Sequence, residues 1–568
     1  MEIALESDMP TYSGGLGVLA GDTLRSAADF GLPMVAVTLV HRKGYFRQRL
    51  DAAGNQSEED AAWSPEELLR PEEPQVTVPI EGREVRVRAW RYVVKGVSGH
   101  EIAVFLLDTG MPANSAWDRA LTDHLYGGDE RYRLCQEAIL GLGGVRLLQA
   151  LGLGEIRSYH MNEGHSALLA LGLLERRMQG RPLQAAAADD IEAVRAECVF
   201  TTHTPVPAGH DQFPAALVRQ VLGAQIADAL ETTHCCTHNA LNMTYLALRF
   251  SRYINGVAMH HGELSQDMYP SYPVRAITNG VHAATWAAPA FAALYDRHIP
   301  EWRRDNQYLR YALGVPLPEI AAAHRQTKAA LLDAVDQATG VRLDPRVLTL
   351  GFARRAAEYK RAALVFSNLE RLQWIARRAG PLQMVFAGKA HPRDEPGKAM
   401  IRQVFAAAEK LRGTVAIAYV PDYDLRWGRQ ITSGVDLWLN TPHRPFEASG
   451  TSGMKAALNG VPSLSVPDGW WYEGHVEGVT GWDIGHEELS DDPEAEADSL
   501  YDKLELVALP LFYTRHDAFV EVMRSTIALN ASFFNTQRML LQYALNAYFP
   551  EAPRGQFIPA APAARPAA

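Results

Sequence analysis

Three short runs combine glycines, hydroxyls and cations in ways that suit phosphate. Ser13-Gly14-Gly15-Leu16-Gly17-Val18-Leu19-Ala20 leads into a helical stretch ending near Phe30. A glycine loop there exposes backbone N–H groups at a helix amino terminus, where donors and dipole together hold an anion. Arg354-Arg355-Ala356-Ala357-Glu358-Tyr359-Lys360-Arg361 follows a strand-like run ending near Gly351. Ligands of open parallel sheets sit beyond the carboxyl ends of strands, so these cations suit an anion. Glu447-Ala448-Ser449-Gly450-Thr451-Ser452-Gly453-Met454-Lys455 offers a second cradle, and Lys455 projects one turn past Thr451 on the same helix face. Other roles stay open for each run taken singly. Gly15-x-Gly17-x-x-Ala20 fits a dinucleotide fingerprint, although the following strand ends His41-Arg42-Lys43 with no acid for a ribose hydroxyl, and a plain turn uses the same glycines. The cation run also reads as a solvated helix face, and Lys455 as an exposed helix lysine.

Lysine supplies only nine of the 55 basic residues. A lysine inside a motif is therefore notable, because lysine forms a Schiff base and arginine does not, though the base composition of a gene produces the same bias. With 66 acidic residues the formal charge is −11, which argues against a surface built to coat nucleic acid or anionic membrane and leaves room for a local basic pocket. Cys135, Cys198, Cys235 and Cys236 have no framework spacing, so reduced thiols in a cytoplasmic setting are expected. The start lacks a basic region, and the apolar stretch from Cys135 to Gly154 is broken by Gln136, Glu137, Arg146 and Gln149, so neither signal peptide nor membrane span is expected. His234-Cys235-Cys236-Thr237-His238 invites zinc, but adjacent cysteines do not readily face one ion and no partner pair follows, so no metal is expected. Trp470-Trp471-Tyr472 is an aromatic cluster suited to a sugar face or to a core.

Holding these runs in place takes a scaffold, and 568 residues, 47% hydrophobic and 21% charged, are enough for about two to four domains. Short apolar runs alternate with helical patterns, as in parallel α/β layers. In the first half, strand-like runs lie at Met34 to Val40, Glu101 to Leu107, Ile156 to Met161, Cys198 to Thr202 and Ala276 to Thr278, with helical stretches such as Arg131 to Leu151 and Ser166 to Met178 between them. Val76 to Tyr92, with Glu81-Gly82 at its middle, reads as an inserted hairpin. In the second half, strands are expected near Val347 to Gly351, Gln383 to Ala387, Val415 to Tyr419, Val435 to Leu439 and Ser463 to Val466, and Met400, Val404, Ala408 and Leu411 mark a buried helix face. This predicts an α/β fold with an amino-terminal domain at 1–290 carrying its hairpin at about 73–95, a carboxyl-terminal domain at 291–530, a helix at 531–550 crossing back, and a Pro- and Ala-rich tail at 551–568 that does not pack.

In their order along the chain the motifs resemble the α-glucan phosphorylases, the glycogen, starch and maltodextrin phosphorylase family, in its short bacterial form. The resemblance rests on the Ser13-to-Gly17 loop, Asn162-Glu163-Gly164-His165, Thr202-His203-Thr204, Asn279-Gly280 with Trp286, the Arg354-to-Arg361 run and, most specifically, the Glu447-to-Lys455 run; it covers about residues 1–475. It implies a GT-B fold, two Rossmann-like domains with parallel sheets facing a central cleft. It implies pyridoxal 5′-phosphate on Lys455 and reversible, retaining phosphorolysis, in which orthophosphate attacks the non-reducing end of an α-1,4-glucan such as glycogen or maltodextrin and releases glucose 1-phosphate. The cofactor would act through its phosphate and not its ring, so two phosphate groups in contact need a concentration of cations and N–H donors. By the same resemblance Lys455, Arg355, Lys360 and His203 are catalytic, and Arg354, Thr451, Ser452, Gly453, Gly14, Trp286 and Tyr423 join Lys455 around the cofactor. Gly15, Leu16, Asn162, Glu163, His203, Asn279, Arg355, Lys360, Glu447, Ala448, Ser449 and Gly450 would meet the glucosyl unit and the substrate phosphate. The substrate phosphate would protonate the leaving glycosidic oxygen, with the cofactor phosphate as relay. Members of the family are commonly dimers, so a homodimer is open to this chain, whose sequence does not itself fix the oligomeric state.

The chain departs from longer members at three places. Ala357 replaces a histidine, Ala4 replaces a tyrosine beside the cofactor, and Asp424 stands where an arginine contacts phosphate, with Arg426 or Arg444 the cations placed to compensate. The sequence also opens inside what should be the first strand, so control by phosphorylation or nucleotide at an amino-terminal segment is not expected, and a start site further upstream would account for the abrupt opening. Two other readings stand beside the phosphorylase. A GT-B glucosyltransferase using a nucleotide sugar has no need of an amine at Lys455, and a non-catalytic glucan-binding relative is motivated by Ala357 and Asp424.

Overall fold

The computed structural model describes residues 1–206, 209–232, 235–237, 239–485 and 492–549. The tail at 551–568, and His234 and His238 of the His234-to-His238 run, lie outside the described residues. The fold is mixed α/β, and its layers are parallel where they carry the motifs.

In the second half, six parallel strands form one sheet in the order Ala416–Val420, Leu382–Ala387, Leu348–Ala353, Leu437–Asn440, Ser463–Ser465 and Gly481–Asp483. The four central strands are buried along their whole length, as expected for strands covered on both faces. Gly481–Asp483 is a strand that the sequence pattern did not predict; three residues between Thr480 and Ile484 leave no periodicity to detect. The strand order reverses between Leu348–Ala353 and Leu437–Asn440, which pair in register at Gly351 and Trp438. Their carboxyl ends therefore open a crevice where such sheets bind ligands.

Most first-half strands lie in two of the four sheets described in that half. Val35–Leu39 runs parallel to Glu101–Asp108, which pairs antiparallel with Arg83–Lys95 and so with Val76–Ile80. The hairpin turns at Glu81 and Gly82, both at positive φ (51° and 72°). A second, all-parallel sheet orders Val274–Ala276, Tyr253–Gly256, Cys198–Thr201 and Tyr159–Asn162. Tyr253–Gly256 was missed, and the run expected at Ala276 to Thr278 pairs slightly earlier, because Gly256 closes an otherwise unremarkable four-residue segment. A cavity of about 1450 Å³ lies between Val35–Thr38 and Ser158–His160 and reaches Asn162 and His203.

Among the contacts that tie the halves together, two involve whole elements. Helix Thr536–Tyr543 returns to pack Met539, Leu540 and Tyr543 with Ile3, Leu5, Leu19 and Leu24, and Ser26 Oγ meets Thr536 Oγ1 at 2.6 Å. A short antiparallel pair, Arg47–Leu50 with Gln56–Glu59, reaches the carboxyl ends of the second-half strands. There the Gln48 side chain donates to Gly388 O (2.9 Å) and accepts from Asp422 N (2.9 Å), while Gln56 donates to Ala390 O (2.8 Å) and accepts from Ala390 N (3.0 Å). No helix among the described residues is long and apolar enough to cross a membrane.

Candidate active site

Two helix amino termini face each other. Helix Gly15–Phe30 follows Gly14, and helix Thr451–Leu458 follows Gly450, whose φ of 90° turns the chain into it. A Cβ placed on Gly15 would stand 3.9 Å from Thr451 Oγ1. Neither helix has an acidic residue in its first turn or a bond from its own N-cap side chain, so their first-turn N–H groups suit an anion. Gly14, placed beside the cofactor on sequence, gives its N–H, with that of Ser13, to Glu2 Oε2 (3.1 and 2.6 Å).

The crevice at the strand-order reversal delivers the cations. Arg354 follows strand Leu348–Ala353 and bonds Asn440, the last residue of the neighbouring strand. Arg354 and Lys360, both buried, converge on one carboxylate oxygen of Glu447. Burial pushes the Glu447 carboxyl up, but the two cations outweigh it and hold it at about 2. Arg355 is open to solvent beside Tyr359, Tyr45 and Glu2; burial of its surroundings is outweighed by these groups, and its pKa is raised. Behind Glu447, the buried Asp468 accepts from Glu447 N (2.9 Å) and Gly469 N (2.8 Å). Burial, with the charge of Glu447 adding to it, lifts Asp468 to about 7. Trp470 N donates to Ser449 O at 2.8 Å, so the Asp468-to-Trp470 loop clamps the Glu447-to-Ser449 backbone. That fixes Ala448 between them. Trp470 and Trp471 are core residues and not a sugar face.

Lys455 is buried on the helix that Thr451 and Ser452 open, and its amine lies 3.9 Å over the ring of Trp286. Burial lowers it to about 8, with Arg429 acting in the same sense and Asp22 against it. Tyr423 OH and Trp286 meet where a Cβ on Gly428 would stand, 3.1 and 3.5 Å away. Gly453 admits the Trp470 ring, which a Cβ would meet at 2.7 Å.

The first-half parallel sheet positions the remaining residues. Asn162 and Thr201 end adjacent strands in register, which brings Glu163 and His203 together. His203 Nε2 contacts Asn162 Oδ1 at 2.7 Å, and burial lowers the ring to about 3, leaving it neutral. Glu163 has φ 77°, uncommon for a side-chain-bearing residue, and its carboxylate accepts from Gly164 N (2.9 Å), His203 N (2.8 Å) and Thr204 Oγ1 (3.0 Å). Its oxygens thus clamp two loops. Asn279, beyond Val274–Ala276, donates to Ser449 Oγ at 3.1 Å and joins the two halves. Leu16 sits in the first turn of the glycine helix beside the facing termini.

The departures resolve locally. Asp424 caps helix Leu425–Gly434 by accepting from Trp427 N (2.9 Å). Arg426 turns outward to pair with Asp424 (3.2 Å), and Arg444 pairs with Glu496 (3.4 Å), so the two arginines expected to compensate are engaged elsewhere. Ala4 and Ala357 are buried. The sequence reading missed Asp22, Asp468 and Glu2. Asp22 had a signal: Val18, Asp22 and Ser26 recur at four-residue spacing on a buried face, where a carboxylate is out of place unless it holds something.

Residues 227–475 match the family described as carbohydrate phosphorylase. The maltodextrin phosphorylase of Thermococcus litoralis is 38% identical over 589 residues, 96% of this chain and 69% of that protein. The glycogen phosphorylase of Mycobacterium tuberculosis is 36% identical over 97% of this chain and 70% of its own length, and that of Aquifex aeolicus 33% over 95% and 84%.

Proposed function

The chain belongs to the carbohydrate phosphorylase family, and from that premise we propose that it is an α-1,4-glucan phosphorylase cutting glucosyl units from maltodextrin or glycogen ends with orthophosphate. The observation that carries the reading is the meeting of two helix termini at Gly15 and Thr451 beside Arg354, Arg355 and Lys360. One anion needs far less. Two phosphates held against each other need this many donors.

The residues fit pyridoxal 5′-phosphate: an amine at about 8 lies against an aromatic face, one helical turn from the Thr451 and Ser452 cradle. Lys455 would anchor it, Arg354, Thr451 and Ser452 would hold its phosphate, and Trp286 and Tyr423 would flank its ring. When bound, the cofactor supplies a second phosphate able to exchange a proton with the substrate phosphate.

Arg355 and Lys360, with the N–H groups of Gly15 and Leu16, would hold orthophosphate under the anomeric carbon. Neutral His203, Asn162, Asn279, Glu447, Ser449 and the Gly450 backbone would take the glucosyl hydroxyls, with Glu163 fixing His203. As the bond from C1 to the leaving oxygen breaks, a phosphate proton passes to that oxygen. A phosphate oxygen then closes on C1 from the same face, giving glucose 1-phosphate with retained configuration. The cations stabilise the phosphate as it gives up its proton and faces the glycosyl cation. The arrangement supports a GT-B reading, two Rossmann-like domains at about 1–290 and 291–530 with 531–550 returning to the first.

Borohydride reduction followed by mass analysis of the Lys455 peptide tests the cofactor, and phosphate-dependent release of glucose 1-phosphate from maltodextrin tests the reaction. Lys455 unmodified after incubation with pyridoxal 5′-phosphate would move the reading to a nucleotide-sugar glucosyltransferase.

A further inference from the structure

Asp22 is the carboxylate that connects the glycine helix to the lysine anchor. It is 1% exposed, and its Oδ2 accepts from Trp286 Nε1 at 2.7 Å and from His282 N at 3.2 Å, while Oδ1 takes Arg25 at 3.3 Å. Trp286 is itself buried, and the Lys455 amine lies 3.9 Å over its ring. A carboxylate this deep is costly unless donors satisfy it, and here three do. We propose that Asp22 is a positioning residue for Lys455, holding Trp286 by its indole N–H so that the ring face fixes the amine. The proposal rests on the cofactor reading above.

The charged groups around that amine come from three elements. Asp22 and Arg25 lie on the glycine helix, Arg429 on helix Leu425–Gly434 with its guanidinium 5.9 Å from the same ring, and Lys455 on its own helix. A cation over an aromatic face is held with a preferred direction, so a fixed Trp286 limits where the amine can stand. Asp22 also favours the ammonium, against burial and Arg429. Capture of an aldehyde needs the neutral amine: the nitrogen lone pair adds to the carbonyl carbon, protons move to the oxygen, and water leaves as C=N forms. Asp22 therefore acts in two separable ways, by geometry through Trp286 and by charge on the amine.

Asp22→Asn keeps an acceptor for the indole and removes the charge, whereas Asp22→Ala removes both. The fraction of Lys455 peptide carrying a pyridoxyl group after borohydride reduction, read against added pyridoxal 5′-phosphate and against pH, separates them. Asp22→Ala should need roughly tenfold more pyridoxal 5′-phosphate for half-labelling. Asp22→Asn should label at near wild-type concentration with its pH midpoint moved down. Trp286→Phe, which lacks the indole N–H, should reproduce the loss in Asp22→Ala without altering Asp22 itself. Equal half-labelling and equal midpoints in all proteins overturn the proposal, as does an Asn variant as poor as the Ala variant. Wild-type protein that never labels at Lys455 instead defeats the cofactor reading on which the proposal stands.

Discussion

The side-chain amide nitrogen of Asn279 donates to the hydroxyl of Ser449 across 3.1 Å, while the side-chain oxygen Oδ1, buried, has no partner in the described structure. An acceptor left so costs about 1–3 kcal/mol. In a sugar site that oxygen suits a hydroxyl donor.

Asn279→Ala should therefore lower kcat/KM for phosphorolysis roughly ten- to hundred-fold, with the melting temperature little changed. Asn279→Asp keeps an acceptor but loses the donor to Ser449, and should fall between. Steady-state kinetics on maltodextrin with unfolding curves for each variant decide it; a variant with wild-type kinetics would remove Asn279 from the sugar contacts.

Glu447 draws Arg354 and Lys360 to one oxygen, so Glu447→Gln leaves two buried cations without their anion and should cost about 3–5 kcal/mol. Sulfate should restore more stability to the variant than to wild type. Because the folded carboxyl titrates near 2 against an ordinary 4.5, the stability it adds is whole above 4.5 and is lost as pH falls toward 2. Melting curves between those values should fall less steeply for Glu447→Gln.

Asp468 behaves oppositely. Its folded pKa, about 7 against 3.8, means the folded protein holds a proton that the unfolded chain gives up, so the stability from this group is full below 3.8 and is lost as pH rises to 7. Asp468→Asn, whatever its starting deficit, should gain on wild type across that window and run level above it. A gap that stays constant from pH 4 to 7 would show the group does not titrate there.

Gly469 sits at φ 55° where a Cβ would meet Ser449 O at 2.5 Å and Glu447 O at 2.8 Å. Gly469→Ala should cost about 1–3 kcal/mol and, by moving the Glu447-to-Ser449 backbone, lower phosphorolysis as well. Gly478, at φ 69° with nothing within 4 Å, is the control: Gly478→Ala bears only the backbone strain and should leave turnover unchanged. Melting temperatures and turnover of the two variants, measured together, separate strain from displacement.

Much of the second-half sheet was legible because its strands are continuous apolar runs, such as Leu348–Ala353, that only a doubly covered layer accepts. The Glu447-to-Lys455 run was legible because glycines and hydroxyls before a helix have few other uses. Asp468 was not, since its value lies in facing the Glu447 backbone 21 positions away, a relation that neither residue's neighbours announce. The same holds for Asp22 and Trp286, 264 positions apart. Asp424 has a second role that its neighbours did not announce: from sequence it is a lost arginine, and in the fold a helix begins there and takes it as a cap.

Gln48 and Gln56 each offer one amide to the second-half backbone as donor and acceptor at once, so these two side chains grip main chain. Such a grip does not slide, because moving it by an ångström breaks both bonds of each pair together. The two sheets have separate strands, yet they share a boundary that fails all at once. Heating should therefore melt them in one calorimetric transition, and Gln48→Ala with Gln56→Ala should split it into two.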